Sequence, residues 1–216
     1  MSHRQYMVIG MGRFGSSLAQ TLYDMGEDVL AIDQNAQQME DMRDRVTNAI
    51  QADASDPDVL REIGARDFDV AVVAIGEDVR SSAVITMLLK EMGVPTVVAK
   101  AQDEMHGRLL KRLGADKVIY PERDMGRRAA HNIVSGNIVD YMELSREYTM
   151  MEIRPRDEWI GRSLKEIQVR ERYGVNIIAI RSGERVNGMP GGNDQIDADS
   201  VLVILGNRKG LERLGV

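Results

Sequence analysis

Residues 7–18 read MVIGMGRFGSSL, and the order of residue types along them decides the fold. A short apolar run of strand character meets three glycines spaced as Gly10, Gly12 and Gly15, and a helical pattern opens directly behind them. Each glycine in that spacing has a mechanical task. The first allows a tight turn, the second lets backbone approach a pyrophosphate, and the third lets the helix lie close to the strand. The unpaired N–H groups at the helix start then attract phosphate oxygens. The triplet alone is a weak signal, and its position between a strand and a helix strengthens it.

Five more apolar runs follow: VLAID (29–33), AIQAD (49–53), DVAVVAIG (69–76), TVVAK (96–100) and KVIY (117–120). Between them apolar residues recur at helical spacing, as Leu18, Leu22 and Met25, then Met39, Met42 and Val46, then Ile85, Leu88, Leu89 and Met92. Each set predicts one buried face, and most of the 14 methionines read as core filler rather than a metal or redox device. Strands alternating with helices predict an α/β fold, a Rossmann-like parallel doubly wound sheet. Beyond it the rhythm changes. YTMMEIRP (148–155), GVNIIAIRSGERVNG (174–188) and SVLVILG (200–206) read as strands around one helix, SLKEIQVRERYG (163–174), so a small α+β C-terminal domain is expected. A helix opening at Pro121, with proline at its first position, connects the halves. The boundary falls near Asn137 to Arg146, giving domains 1–137, connecting helix included, and 138–216.

Composition limits function. The 216 residues carry 28 Lys+Arg against 34 Asp+Glu, a formal charge of −6, so no broad basic face is available for phosphate backbones and no nucleic-acid partner is expected. The absence of cysteine excludes disulfides, thiol catalysis and thiolate-held metals, and fits a reducing, cytoplasmic setting. No stretch reaches about 18 uninterrupted apolar residues and no secretory pattern opens the chain, so neither a membrane span nor secretion is expected.

Asp33 closes the second strand, where a carboxylate accepts both ribose hydroxyls and disfavours a 2′-phosphate; a helix N-cap is its plainer reading. Asp53 with Ala54, Ile75 with Gly76, and Lys100 lie at the carboxyl ends of later strands, the rim where open α/β sheets take ligands. Arg13 stands where backbone meets phosphate. It reads either as a guanidinium that reports the number of phosphates or as a surface arginine paired with an acid. Phe14 sits in the same loop and reads as packing at the helix start. Glu122 and Asp124 open the connecting helix, where its dipole favours acids; Glu122 is also a candidate to hold a hard cation such as Mg²⁺ against phosphate oxygens. An NAD-dependent oxidoreductase is the competing reading, and it needs a proton donor beside the nicotinamide. His3, His106 and His131 are the only histidines, and none stands at a strand end.

Taken together, GMGRFG, VLAID, VAVVAIGEDVRSSAVITMLLKEMGVPTVVAKAQ, LLKRLGADKVIYPERDMGRRAA, YGVNIIAIRSGE and VLVILG resemble the RCK (regulator of K⁺ conductance) proteins of bacterial potassium uptake, the KtrA and TrkA type. The resemblance spans nearly the whole chain. It implies dimers assembled into an octameric ring beneath a membrane potassium-translocating subunit of the KtrB or TrkH kind, with ATP activating, ADP inactivating and NAD(H) a further ligand. Carried over, it implies that Gly10, Gly12 and Gly15 hold phosphates, Asp33 and Asn35 the ribose side, and Arg13 the terminal phosphate. Lys100 would lie near the nucleotide and Glu122 would help hold a divalent cation. Arg170, Asn176 and Pro190 match positions that take cyclic di-AMP in relatives. The stretch NGMPGGNDQIDADS departs there from the family's apolar-Ser-Pro pattern.

Overall fold

A computed structural model describes residues 4–134, 138–145 and 147–215. It divides into two compact units, Met1–Glu122 and Arg123–Val216. This division precedes the boundary expected from the sequence, whose limits Asn137 and Arg146 lie outside the described residues. The connecting helix contributes to the second unit through Arg128, which pairs with Asp140 at 2.8 Å.

The first unit runs β1 (Gln5–Ile9), α1 (Arg13–Asp24), β2 (Asp28–Asp33), α2 (Ala36–Met42), β3 (Asn48–Gln51), α3 (Pro57–Glu62), β4 (Val70–Val73), α4 (Val79–Glu91), β5 (Thr96–Lys100), α5 (Glu104–Arg112) and β6 (Lys117–Ile119). All six strands are parallel, in the order β3-β2-β1-β4-β5-β6. Both faces of the sheet are covered, which explains the near-continuous apolar runs. Met7, Ile9, Leu30, Ile32, Ala71 and Val73 pack on one face, and Val8, Val29, Ala31 and Val72 on the other, as the two-residue period of a strand requires. The order reverses between β1 and β4, so the chain leaves these neighbours toward opposite sides and opens a crevice at their carboxyl ends.

Two expectations about methionine fail. Met25 is the C-cap of α1 and is 73% exposed, because the helix ends before its stripe returns to the sheet. Five methionines are buried (Met7, Met11, Met39, Met42, Met151), but five others are exposed (Met25, Met105, Met125, Met142, Met189), so core filling accounts for a part of the set.

After α6 (Pro121–Val134), the second unit contains β7 (Ile138–Glu143), β8 (Tyr148–Ile153), α7 (Leu164–Ile167), α8 (Val169–Tyr173), β9 (Val175–Ser182), β10 (Arg185–Asn187), β11 (Ser200–Asn207) and α9 (Arg208–Leu214). Its sheet is antiparallel, in the order β10-β9-β11-β8-β7. The single helix expected over 163–174 is two. Ile167 and Val169 are both buried, and two positions that close together in sequence cannot share one stripe of a continuous helix. Gln168 between them takes a left-handed conformation, with φ of 49°. Trp159 fills the centre of this core, and the Arg156 guanidinium sits 5.5 Å from its ring centroid and 5.2 Å from that of Tyr173. Among the described residues no helix is long and apolar enough to cross a membrane.

Candidate functional site

The glycine loop is built as its spacing requires. Gly10 has φ of +96°, a region that side chains rarely enter, and its N–H donates to Ile32 O at 2.8 Å. A Cβ on Gly15 would stand 1.9 Å from Gly10 O, so α1 approaches the loop only because Gly15 has none. At Gly12 nothing lies within 4 Å of such an atom. Gly12 is the N-cap of α1 and offers no side-chain cap, so the first amides of the helix remain open on that clear side.

Asp33 fastens the loop to the second strand. Its Oδ2 accepts the Met11 N–H at 2.6 Å and its Oδ1 accepts the Asn35 N–H at 2.8 Å. Asn35 in turn caps α2, its Oδ1 accepting from the amides of Gln37 and Gln38. Gly10, Asp33, Asp53, Ala54 and Ile75 line one 210 Å³ pocket, together with Gln34, Asp78 and Ser81, which the sequence reading did not single out. Asp78 is the N-cap of α4, accepting the Ser81 amide at 3.0 Å and the Ser81 hydroxyl at 2.6 Å. The signal for it was present as Asp-x-x-Ser before a helical run. Asp53 accepts the Ser55 hydroxyl at 2.6 Å and its amide at 2.9 Å. These serine hydroxyls hold both carboxyls below their usual range. Three carboxylates and no cation line this pocket, so it suits a neutral, hydroxyl- and amine-bearing group and opposes phosphate there.

The cations gather on the glycine-loop side. Lys100, at the end of β5, is 12% exposed; its Nζ lies 2.6 Å from Glu122 Oε1 and 5.9 Å from the Phe14 ring centroid. A Cβ on Gly76 would stand 3.0 Å from the same nitrogen, and Gln102 Nε2 donates to Gly76 O. Phe14 is half-buried against the apolar cluster beneath α1, so it packs at the helix start and also faces the ammonium. The Lys100 hydrogen bond lowers the Glu122 carboxyl below its usual range. Arg13, first residue of α1, is exposed and has no partner among the described residues. As a cation ligand Glu122 stands alone in one chain: among the described residues no three His, Cys, Asp or Glu side chains group as a metal site.

Other candidates lie apart. Arg170 is on α8, Asn176 on β9 and Pro190 beyond β10, and none borders the 460 Å³ cleft lined by Arg185, Asn187, Asp194 and Asp197. A wider cleft of 910 Å³ runs along the edge strand β3 but contains no glycine-loop residue. His106 is buried, burial lowers its pKa, and it does not border the 210 Å³ pocket.

A doubly wound sheet with a glycine loop at its switch point, followed by a small antiparallel domain, places the chain in the class of two-domain proteins with a Rossmann-type first half. The TrkA-N domain matches residues 6–121 and the TrkA-C domain residues 149–215. The chain is 38% identical to Ktr system potassium uptake protein C of Bacillus subtilis over 97% of its own length and 95% of that protein. It is 35% identical to Ktr system potassium uptake protein A of the same organism, over 99% and 96%. It therefore belongs to the Ktr and TrkA family of RCK-domain potassium uptake proteins. The fold also matches the NAD-bound GsuK channel with a TM-score of 0.70 at 17% identity, covering 99% of this chain and 39% of that one.

Proposed function

We propose that this chain is the nucleotide-sensing regulatory subunit of a membrane potassium uptake system and carries no catalysis of its own. Adenine nucleotides occupy the carboxyl edge of the parallel sheet, with ribose and base toward Asp33 and Asp53 and phosphates on the glycine loop. The observation that carries this reading is the division of charge along that edge: three carboxylates at one end and, at the other, Arg13, without a partner among the described residues, beside open helix amides. Such a polarity orients a nucleotide and counts its phosphates. His106 is buried and stands away from the 210 Å³ pocket, so it offers no acid–base group there. NAD(H), whose two phosphates and unphosphorylated ribose fit the same polarity, is a further occupant.

ATP favours the active assembly and ADP the inactive one. The chain works as dimers in an octameric ring held at the inner membrane face by a KtrB- or TrkH-like subunit. One added hydrogen bond from a charged group is worth about 1.5–3 kcal/mol, a factor of roughly 10 to 150 per site, while full two-state switching needs about 5.5 kcal/mol. Coupled sites in a ring meet that requirement. Titration calorimetry on Arg13→Ala should bring the ATP and ADP affinities together; an unchanged preference refutes the phosphate-counting role. A divalent cation such as Mg²⁺ is taken by nucleotide oxygens with Glu122, the remaining ligands coming from outside one chain. Glu122→Ala should then abolish the divalent-cation dependence of ATP-driven transport, and retained dependence argues against it.

A further inference from the structure

The meeting of four segments at the Lys100 ammonium has a regulatory meaning that rests on the nucleotide reading above. Lys100 ends β5, Glu122 lies in the first turn of α6, Phe14 is the second residue of α1, directly behind the glycine loop, and Gly76 lies in the loop from β4 to α4. The Glu122 side chain is 67% exposed, so packing does not hold it there; its contact with Lys100, at 2.6 Å, does. The Lys100 side chain is confined, at 12% exposed, between the phenylalanine ring and the Gly76 backbone. Among the described residues Arg13, beside the glycine loop, has no partner, whereas Lys100 is already neutralised by a carboxylate.

The geometry points to Glu122 as an internal competitor of the nucleotide's terminal phosphate for Lys100. A carboxylate and a phosphate oxygen on one ammonium are like charges at contact, and each disfavours the other. Without nucleotide, Glu122 occupies Lys100 and fixes the first turn of α6. An arriving phosphate takes the ammonium, and Glu122 is freed from Lys100, which leaves its carboxylate available to the divalent cation when one accompanies the nucleotide. No covalent bond changes. Glu122 is the last residue of the first compact unit, so the exchange acts at the point where the chain passes into the second. Occupancy is thereby converted into the loss of one restraint on the connecting helix. Glu122 acts here as a positioning residue through Lys100, and a weaker resting affinity for nucleotide accompanies it.

The test is a double-mutant cycle on the full chain, titrating ADP and adenosine calorimetrically with EDTA present so that no divalent cation contributes. Glu122→Gln should tighten ADP by about 2- to 5-fold, the scale of a partly exposed ion pair, and leave adenosine unchanged. In a Lys100→Met background the same change should give no gain. If Lys100→Met does not fold, Lys100→Gln, which keeps an N–H donor without charge, carries the same comparison. Absence of the gain in Glu122→Gln overturns the competition. A gain that persists without Lys100 overturns it too, since it reports direct repulsion between Glu122 and phosphate. If the unsubstituted chain binds neither ADP nor adenosine, the nucleotide reading itself falls. Binding of both with zero coupling removes the exchange alone.

Discussion

The two units of this chain place polar residues by opposite rules. In the first, every strand runs the same way, so every strand-to-helix loop emerges on one edge, and Gly10, Asp33, Asp53, Ile75 and Lys100 are gathered there though 90 positions separate the first from the last. In the second, antiparallel neighbours alternate ends, and Arg170 lies on α8, Asn176 near the start of β9 and Pro190 in the stretch after β10. A parallel sheet concentrates chemistry by topology, and an antiparallel one needs other devices to do so. The tightest packing differs as well: in the first unit Gly15 lies against the Gly10 carbonyl oxygen, and in the second the large Trp159 side chain is buried in the core.

The contrast is open to direct attack. Trp159→Ala should cost the second unit about 3–5 kcal/mol, since the side chain is 1% exposed, and should leave ADP affinity unchanged. Hydrogen exchange at β8 and β11 measures the loss, and a shifted ADP affinity breaks the separation. Gly15→Ala should cost the first unit about 3 kcal/mol, because the new methyl meets the Gly10 carbonyl oxygen. Trp159 is the only tryptophan, so its emission during urea unfolding reports whether the second unit is spared. Asp33→Ala should cost about 1–3 kcal/mol by leaving the Met11 and Asn35 amides without their acceptor, together with a loss of adenosine affinity. Faster exchange of those two amides is the signature; unchanged exchange assigns Asp33 to ligand contact alone.

The smallest effect concerns acid. Asp116 accepts the Val97 N–H at 2.7 Å and pairs with Lys90 at 2.9 Å, and the backbone hydrogen bond first, then Lys90, lowers its pKa. A folded pKa below the unfolded one contributes stability that is complete above the ordinary carboxylate range and is lost as pH falls through the lower folded value. In a pH series of urea midpoints, Asp116→Asn should flatten that acid limb by about 1 kcal/mol or less, given the exposed pair. A limb of unchanged slope assigns the acid sensitivity elsewhere.

Much of the first unit was legible because its devices are local. The Gly10, Gly12 and Gly15 spacing, the apolar runs and Asp33 at a strand end each depend on neighbours a few residues away. Family resemblance supplied Asn35 and raised Glu122 from one candidate reading to an expected role, which spacing could not. The Lys100–Glu122 contact was not legible, because two residues on different elements meet only after the sheet has formed. Asp78 and Ser81 escaped for another reason: a helix cap reads the same whether or not a pocket opens beside it. In the second unit, β7 and α9 were missed, and the break at Gln168 was hidden inside a run that obeys helical spacing on either side.

The reversal of strand order between β1 and β4 also sets a sequence of events in time. The Gln5 amide donates to Asp69 across 64 residues, and the crevice beside the glycine loop does not exist until that distant pairing closes. Loop-closure entropy makes such contacts slow relative to local hairpins like β9 with β10. A nucleotide added during refolding therefore has nothing to hold in the early chain. On the proposed nucleotide reading, capture of ligand would mark the moment at which β1 and β4 have paired, and the site would serve as a clock for the folding of its own unit.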